Sequence, residues 1–133
     1  VTINQFTNHP ALNAASEGII KVLRECHPNL EIQRHEAQGS PTTTFHIAKH
    51  QASLKPIAMI GIATPSAQST LRARQKQTTL IAFAAVTNPS AAHLADVANV
   101  IGVADHPPVE KLVQTIKKVF PTKKKIGIIF NSG

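Results

Sequence analysis

The side chains in this sequence best suited to chemistry are its 7 histidines. His46 and His50 stand four apart on a stretch with helical periodicity, a spacing that can bring two imidazoles to one metal. Neither has a glutamate beside it and no third ligand has an obvious position, so the pair reads as solvent-facing. His27, His35, His93 and His106 read as surface or loop residues. His9 differs, because it follows the first apolar run, where it could cap a helix or touch a ligand; both roles stay open. Cys26 falls on the apolar side of the first helical stretch and reads as a core thiol. As the 1 cysteine of the chain, it excludes an internal disulfide framework and a four-cysteine zinc site. Ser66 sits in Ala63-Thr-Pro-Ser-Ala-Gln68, not in the Gly-x-Ser-x-Gly elbow of an esterase. No Gly-x-Gly-x-x-Gly follows the first run, where Thr7-Asn-His-Pro-Ala-Leu12 stands, and no phosphate loop occurs. No catalytic set, metal site or cofactor site is expected.

The elements that position these residues alternate. Apolar β-type runs cover Val1–Phe6, Leu30–His35, Ile57–Ala63, Leu80–Val86, Val97–Val103 and Ile126–Phe130. Ile57–Ala63 and Leu80–Val86 are apolar on both faces, as befits central strands covered on both sides. Between them, Leu12, Ala15, Ile19, Leu23 and Cys26 mark one helical face, and Phe45, Ala48 and Ala52 mark another. Val109, Leu112, Val113, Ile116, Val119 and Phe120 form a third, all at a 3.6-residue period. The pattern predicts an α/β fold, doubly wound, with a mainly parallel five-stranded sheet and helices on both faces. A polar residue precedes proline in His9-Pro10, Ser40-Pro41, Thr64-Pro65, Asn88-Pro89 and His106-Pro107. Proline suits the first helical position and Ser, Thr or Asn before it can cap, so each pair predicts a helix start. Several helix N-termini should open at the carboxyl edge of the sheet, where ligands bind in such folds and where anionic groups are favoured.

A length of 133 residues suits one domain able to bury a core without disulfides or metal. The net charge of +7 is concentrated: all 7 acids lie in residues 1–110, whereas residues 111–133 hold six lysines and no acid. Such a run is usually a solvated helix face. With no Trp or Tyr and 5 Phe, base stacking has little to work with, and nucleic acid is not the expected partner.

The chain resembles the amino-terminal lobe of an ABC transporter substrate-binding protein, of the type I periplasmic-binding-protein class and the tryptophan/tyrosine transporter-like family. Asn8-His-Pro-Ala-Leu12, Glu36-Ala-Gln-Gly39, Ala63-Thr-Pro-Ser-Ala-Gln68, Phe83-Ala-Ala-Val-Thr-Asn-Pro89, Asn99-Val-Ile-Gly-Val-Ala-Asp105, Pro108-Val-Glu-Lys111 and Ile126–Gly133 carry the resemblance, in order, along the whole chain. It implies a receptor that captures a small molecule, such as an aromatic or other amino acid, between two lobes and hands it to a membrane permease. By the same resemblance, Thr64, Ser66, Ala67 and Gln68 receive the ligand carboxylate and Thr87 and Asn88 lie beside the amine. His9, Pro10 and Leu12 form a wall, and Asp105 completes the set. Asn88, Asn13 and Ala104 depart from residues more often acidic, Asp and Ser there. Residues 1–106 would be the binding lobe, and 107–133 the crossover helix and first strand of a truncated second lobe. That strand could associate with a second copy, giving a homodimer through an exposed or exchanged C-terminal segment. The implied location is periplasmic or extracellular, with a membrane anchor in a longer form. A flavodoxin-like enzyme or regulatory domain binding a small anion at the same edge is the alternative, and a basic interaction domain a third.

Overall fold

The computed structural model describes residues 1–74 and 78–128. Five strands, β1 (Thr2–Gln5), β2 (Gln33–Glu36), β3 (Ala58–Ile62), β4 (Leu80–Val86) and β5 (Val100–Ala104), form one sheet in the order β2-β1-β3-β4-β5. Every neighbouring pair is parallel, with Ile3 opposite Arg34 and Ile60, and Ile60 opposite Ala82. Among the described residues, four helices accompany them: α1 (Pro10–Cys26), α2 (Pro41–Ser53), α3 (Thr64–Ala73) and α4 (Val109–Val119). The expected α/β architecture is therefore present. No helix among the described residues is long and apolar enough to cross a membrane.

Strand alternation divides the core between two faces. On one, Ile3, Ile60 and Ile62 meet Leu12, Ile19, Ile20 and Leu23 of α1. On the other, Met59 and Ile81 pack with Ala52 of α2 and Leu71 of α3, and Phe83 and Val86 pack with Ala67. Gly61 lets α3 lie close on the sheet, since a Cβ there would stand 2.4 Å from the Ala67 Cα. Cys26 is exposed and not in the core. The 17 residues of α1 span roughly 25 Å against roughly 17 Å for a five-residue strand, so its last turn overshoots the sheet.

Local chemistry starts two of the helices as expected. His9 Nδ1 accepts from the Ala11 amide at 3.3 Å, and Ser40 Oγ accepts from the Thr43 amide at 3.2 Å, each with proline at the first helical position. On α2 the buried face is Thr44, Ala48, Gln51 and Ala52, while Phe45, expected inside, is 38% exposed with Lys49 Nζ 5.7 Å from its ring centroid. Ala48 and Ala52 are buried as expected, but Thr44 takes the place of Phe45 on that face, held by the buried Asn4.

The two later proline pairs do not open helices directly. After Asn88-Pro89 the chain makes turns in place of a helix: Asn88 Oδ1 accepts from Ala91 at 3.0 Å, and the left-handed φ of His93, Asp96 and Asn99 breaks any continuation. Ala92 and Leu94 from this loop are buried against Phe83 and Val86, filling the place of the missing helix. The same turns delay β5, which begins at Val100 and not at Val97. At His106-Pro107, α4 waits until Val109. The apolar stripe of α4 is present, yet Leu112 and Val119 are 59% and 61% exposed. Residues 126–128, the start of the expected sixth strand, are not strand, and Ile129–Phe130 lie outside the described residues. A strand exists only with a neighbour to satisfy its amides and carbonyls, and among the described residues none adjoins 126–128.

Candidate functional site at the carboxyl edge of the sheet

From β1 the chain goes out to β2, returns across to β3 and then runs outward in the other direction. Such a reversal places a crevice outside the carboxyl ends of β1 and β3. Backbone hydrogen bonds gather the loops there. Phe6 donates to the Ile62 carbonyl at 3.2 Å, Gly39 to Phe6 at 2.8 Å, Ala63 to Ala84 at 3.0 Å and Asp105 to Val86 at 2.9 Å. The stretches after β1, β2, β3 and β5 are thus tied to one another and to the end of β4 along one rim.

The centre of the rim is the start of α3. Its N-cap is Ala63, with φ 74 and ψ 157 and no side-chain cap. That region is essentially glycine territory and costs a non-glycine residue on the order of 1–3 kcal/mol. Pro65 has no amide, and the first-turn amides of Thr64 and Ser66 have no intrahelical acceptor by helix geometry. The result is a shelf of positive backbone dipole whose chemistry suits a carboxylate. A second irregularity adjoins it: β4 shifts register between Phe83 and Val86, with Ala85 at φ 55.

The expected residues divide into those on the rim and those behind it. Thr64 is half-buried on the shelf, while Thr87, Asn88, Asp105, His9 and Pro10 are exposed around it. Asn88 spends its side-chain oxygen on the Ala91 amide, and Gln68 Nε2 donates to the Ala92 carbonyl at 3.2 Å. Ser66 and Ala67 are fully buried; Ser66 Oγ lies 2.8 Å from Thr44 Oγ1, and the Ala67 amide donates to the Ala63 carbonyl at 3.0 Å. Leu12 packs into the core beneath α1. Ser66 and Ala67 therefore shape the shelf from within, and Leu12 supports the loop before it. Asn13, through its Oδ1, accepts from Gln5 Nε2 at 2.7 Å and Arg34 at 3.3 Å, and its Nδ2 donates to Asn8 Oδ1 at 2.8 Å, fixing the loop that carries His9.

Sequence reasoning missed Asn4, Thr44, Ala63 and Ala85. Asn4 carried a usable signal, because a polar residue inside a central strand, between Ile3 and Gln5, must find internal partners. His35 is half-buried in β2, with Nδ1 3.2 Å from Gln51 Nε2 and its ring edge-on to His50 at 6.2 Å. His46 and His50 are exposed, and no group of three His, Cys, Asp or Glu among the described residues could hold a metal ion. The better-enclosed clefts lie elsewhere: one is lined by Lys55, Pro56, Ile57, Met59 and Thr79 at the amino edge. It has no helix N-terminus facing it, whereas the carboxyl edge is an open shelf.

A parallel five-stranded sheet with helices on both faces and a reversal of strand order defines a doubly wound α/β fold, a class whose ligands bind at the carboxyl edge. The family described as ABC transporter substrate binding protein matches residues 1–133, and the chain belongs to that family. A curated relative, a tyrosine-binding protein from Clostridioides difficile (strain R20291), is 33% identical over 141 residues, covering 99% of this chain and 40% of its own. The crystal structure of a conserved domain protein from Vibrio cholerae superposes with a TM-score of 0.83 at 35% identity, covering 91% of this chain and 43% of that one. An ABC domain in complex with L-Trp from Streptococcus pneumonia gives a TM-score of 0.80 at 30% identity, covering 90% and 42%. The chain spans about two-fifths of the length of the relatives it matches.

Proposed function

We propose that this chain is the amino-terminal lobe of an extracytoplasmic receptor that binds an amino acid, aromatic in the first instance, and presents it to an ABC permease. The observation that carries the proposal is the uncapped start of α3, strained at Ala63 and set at the strand reversal. A helix N-terminus in that place favours a carboxylate, and relatives over the same stretch are named for tyrosine and solved with L-Trp. Thr64 and the first-turn amides take the carboxylate. Because Asn88 is committed to Ala91, Asp105 at the end of β5 supplies the charge for the ammonium, which pairs more strongly with a carboxylate than with an amide. Thr87 and Asn88 flank that position, with His9 and Pro10 opposite. Residues 1–106 are the lobe. Residues 107–133 lead into a second one, whose approach would close the shelf into a pocket and cover the apolar stripe of α4. Binding and release, without bond-making chemistry, is the role, and the family match favours it over an enzyme on the same sheet.

An amide-resonance titration of the chain with L-Tyr and L-Trp tests this. Expected are saturable shifts at Thr64, Ser66, Thr87 and Asp105. Shifts confined to Lys55, Ile57 and Thr79 would place the ligand at the wrong edge, and no shifts at millimolar ligand would remove the proposal.

A further inference from the structure

Three side chains with no solvent contact join β1, α2 and α3 behind the shelf. Asn4 Nδ2 donates to the Thr44 carbonyl at 2.9 Å, Thr44 Oγ1 donates to Asn4 Oδ1 at 3.1 Å, and Thr44 Oγ1 lies 2.8 Å from Ser66 Oγ. Hydrogen counting orders this chain uniquely. The Thr44 carbonyl can only accept, so it faces the amide nitrogen of Asn4 and leaves Asn4 Oδ1 for the Thr44 hydroxyl. A hydroxyl has one proton, so Thr44 can only accept from Ser66. The Ser66 proton therefore points away from the shelf, into the protein.

We propose that Thr44 is a positioning residue for ligand binding: through Ser66 it holds the first turn of α3 in the orientation that presents its amides. Ser66 then contributes to recognition through its backbone, and its hydroxyl works as an anchor. The inference rests on the proposed function for its ligand, but the anchoring stands on geometry alone. Strained backbone such as Ala63, at φ 74, persists only where its surroundings over-determine it. Here the anchor lies three residues beyond Ala63, and the close contact of Gly61 with Ala67 restrains the next residue.

The test compares Thr44→Val, which keeps shape and loses the hydroxyl, with Thr44→Ser, which keeps the hydroxyl. Met59→Ala, in the core on the same face, serves as a variant destabilised without touching the chain of hydroxyls. Amide hydrogen exchange at matched stability is read first. Thr44→Val should speed exchange at Ala67 and Gln68 by about tenfold relative to Met59→Ala, with Thr44→Ser close to wild type. A uniform rise in both Thr44→Val and Met59→Ala would overturn the anchor. Titration with L-Tyr and L-Trp is read second, with affinity falling about tenfold in Thr44→Val and recovering in Thr44→Ser. Unchanged affinity in Thr44→Val beside a binding wild type would overturn the positioning role. Failure of the wild type to bind either amino acid would instead overturn the proposed function, while exchange still decides the anchor.

Discussion

At Ala63 a methyl group occupies a backbone conformation that L residues avoid, with φ 74. Ala63→Gly removes that strain at a smaller cost in unfolded-chain entropy. It should raise stability by about 1 kcal/mol in urea unfolding, and a fall would show that the conformation is not strained. Asp105 is exposed at the end of β5 and its amide is tied to Val86, so its carboxylate is free to meet a cation without moving the strand. Asp105→Asn should weaken amino-acid affinity by about tenfold with unfolding unchanged, since a charge-assisted bond is roughly twice as strong as a neutral one. Equal affinity in calorimetry would move the ammonium elsewhere on the rim.

Among the elements, α3 has the closest relation to the sheet. Ala67 sits on Gly61 so tightly that an added Cβ would meet Ala67 backbone at 2.4 Å, and no flexible side chain can yield there. Gly61→Ala should therefore lose at least about 2 kcal/mol and lower affinity too, because lifting α3 tilts the shelf. Denaturant midpoints and the ligand titration read the two effects separately; a fully stable Gly61→Ala would mean that α3 can retreat. The β4–β5 connection shows the opposite economy. It buries only Ala92 and Leu94, which suffices because β5 is an edge strand with Ile101 and Val103 exposed.

For the whole molecule, the distribution of apolar surface is uneven. Residues up to about 100 enclose two cores, whereas α4 and the segment after it present Val109, Leu112, Val119, Phe120 and Ile128 to solvent. An exposed stripe of this size favours association, opposed by the lysines beside it at low ionic strength. Sedimentation of the 133-residue chain should show mass rising with concentration, and more steeply with added salt. A Leu112→Glu, Val119→Glu double variant should stay monomeric. A wild type that is strictly monomeric across the same range would show that the stripe is not adhesive.

Strand and helix order, the face of α1 and the proline-led starts of α1 and α2 were legible in the sequence, because periodicity and capping act within a few residues. Most of the rim was legible too, since strand ends and Thr64-Pro65 mark it. Other features were not, among them the N-cap of α3, which is Ala63 where Thr64 was expected, and residues 126–128, which are not strand. Cys26 lies outside because of the length of α1 relative to the strands; Phe45 was displaced by a hydrogen bond between residues forty apart; the Asn88-Pro89 turn replaced a helix; and Ser66 turned inward. Phe45 and Ser66 were settled by contacts distant along the chain, Cys26 by the length of its helix, and the Asn88-Pro89 turn by a hydrogen bond three residues long in sequence. By itself the sequence determined the order of the five strands and of the helices α1 to α4, as short-range sterics and burial patterns suffice for that. Only the tertiary structure decided which polar groups stand exposed on the rim and which face inward, because a buried hydroxyl must find its partner wherever packing has brought one.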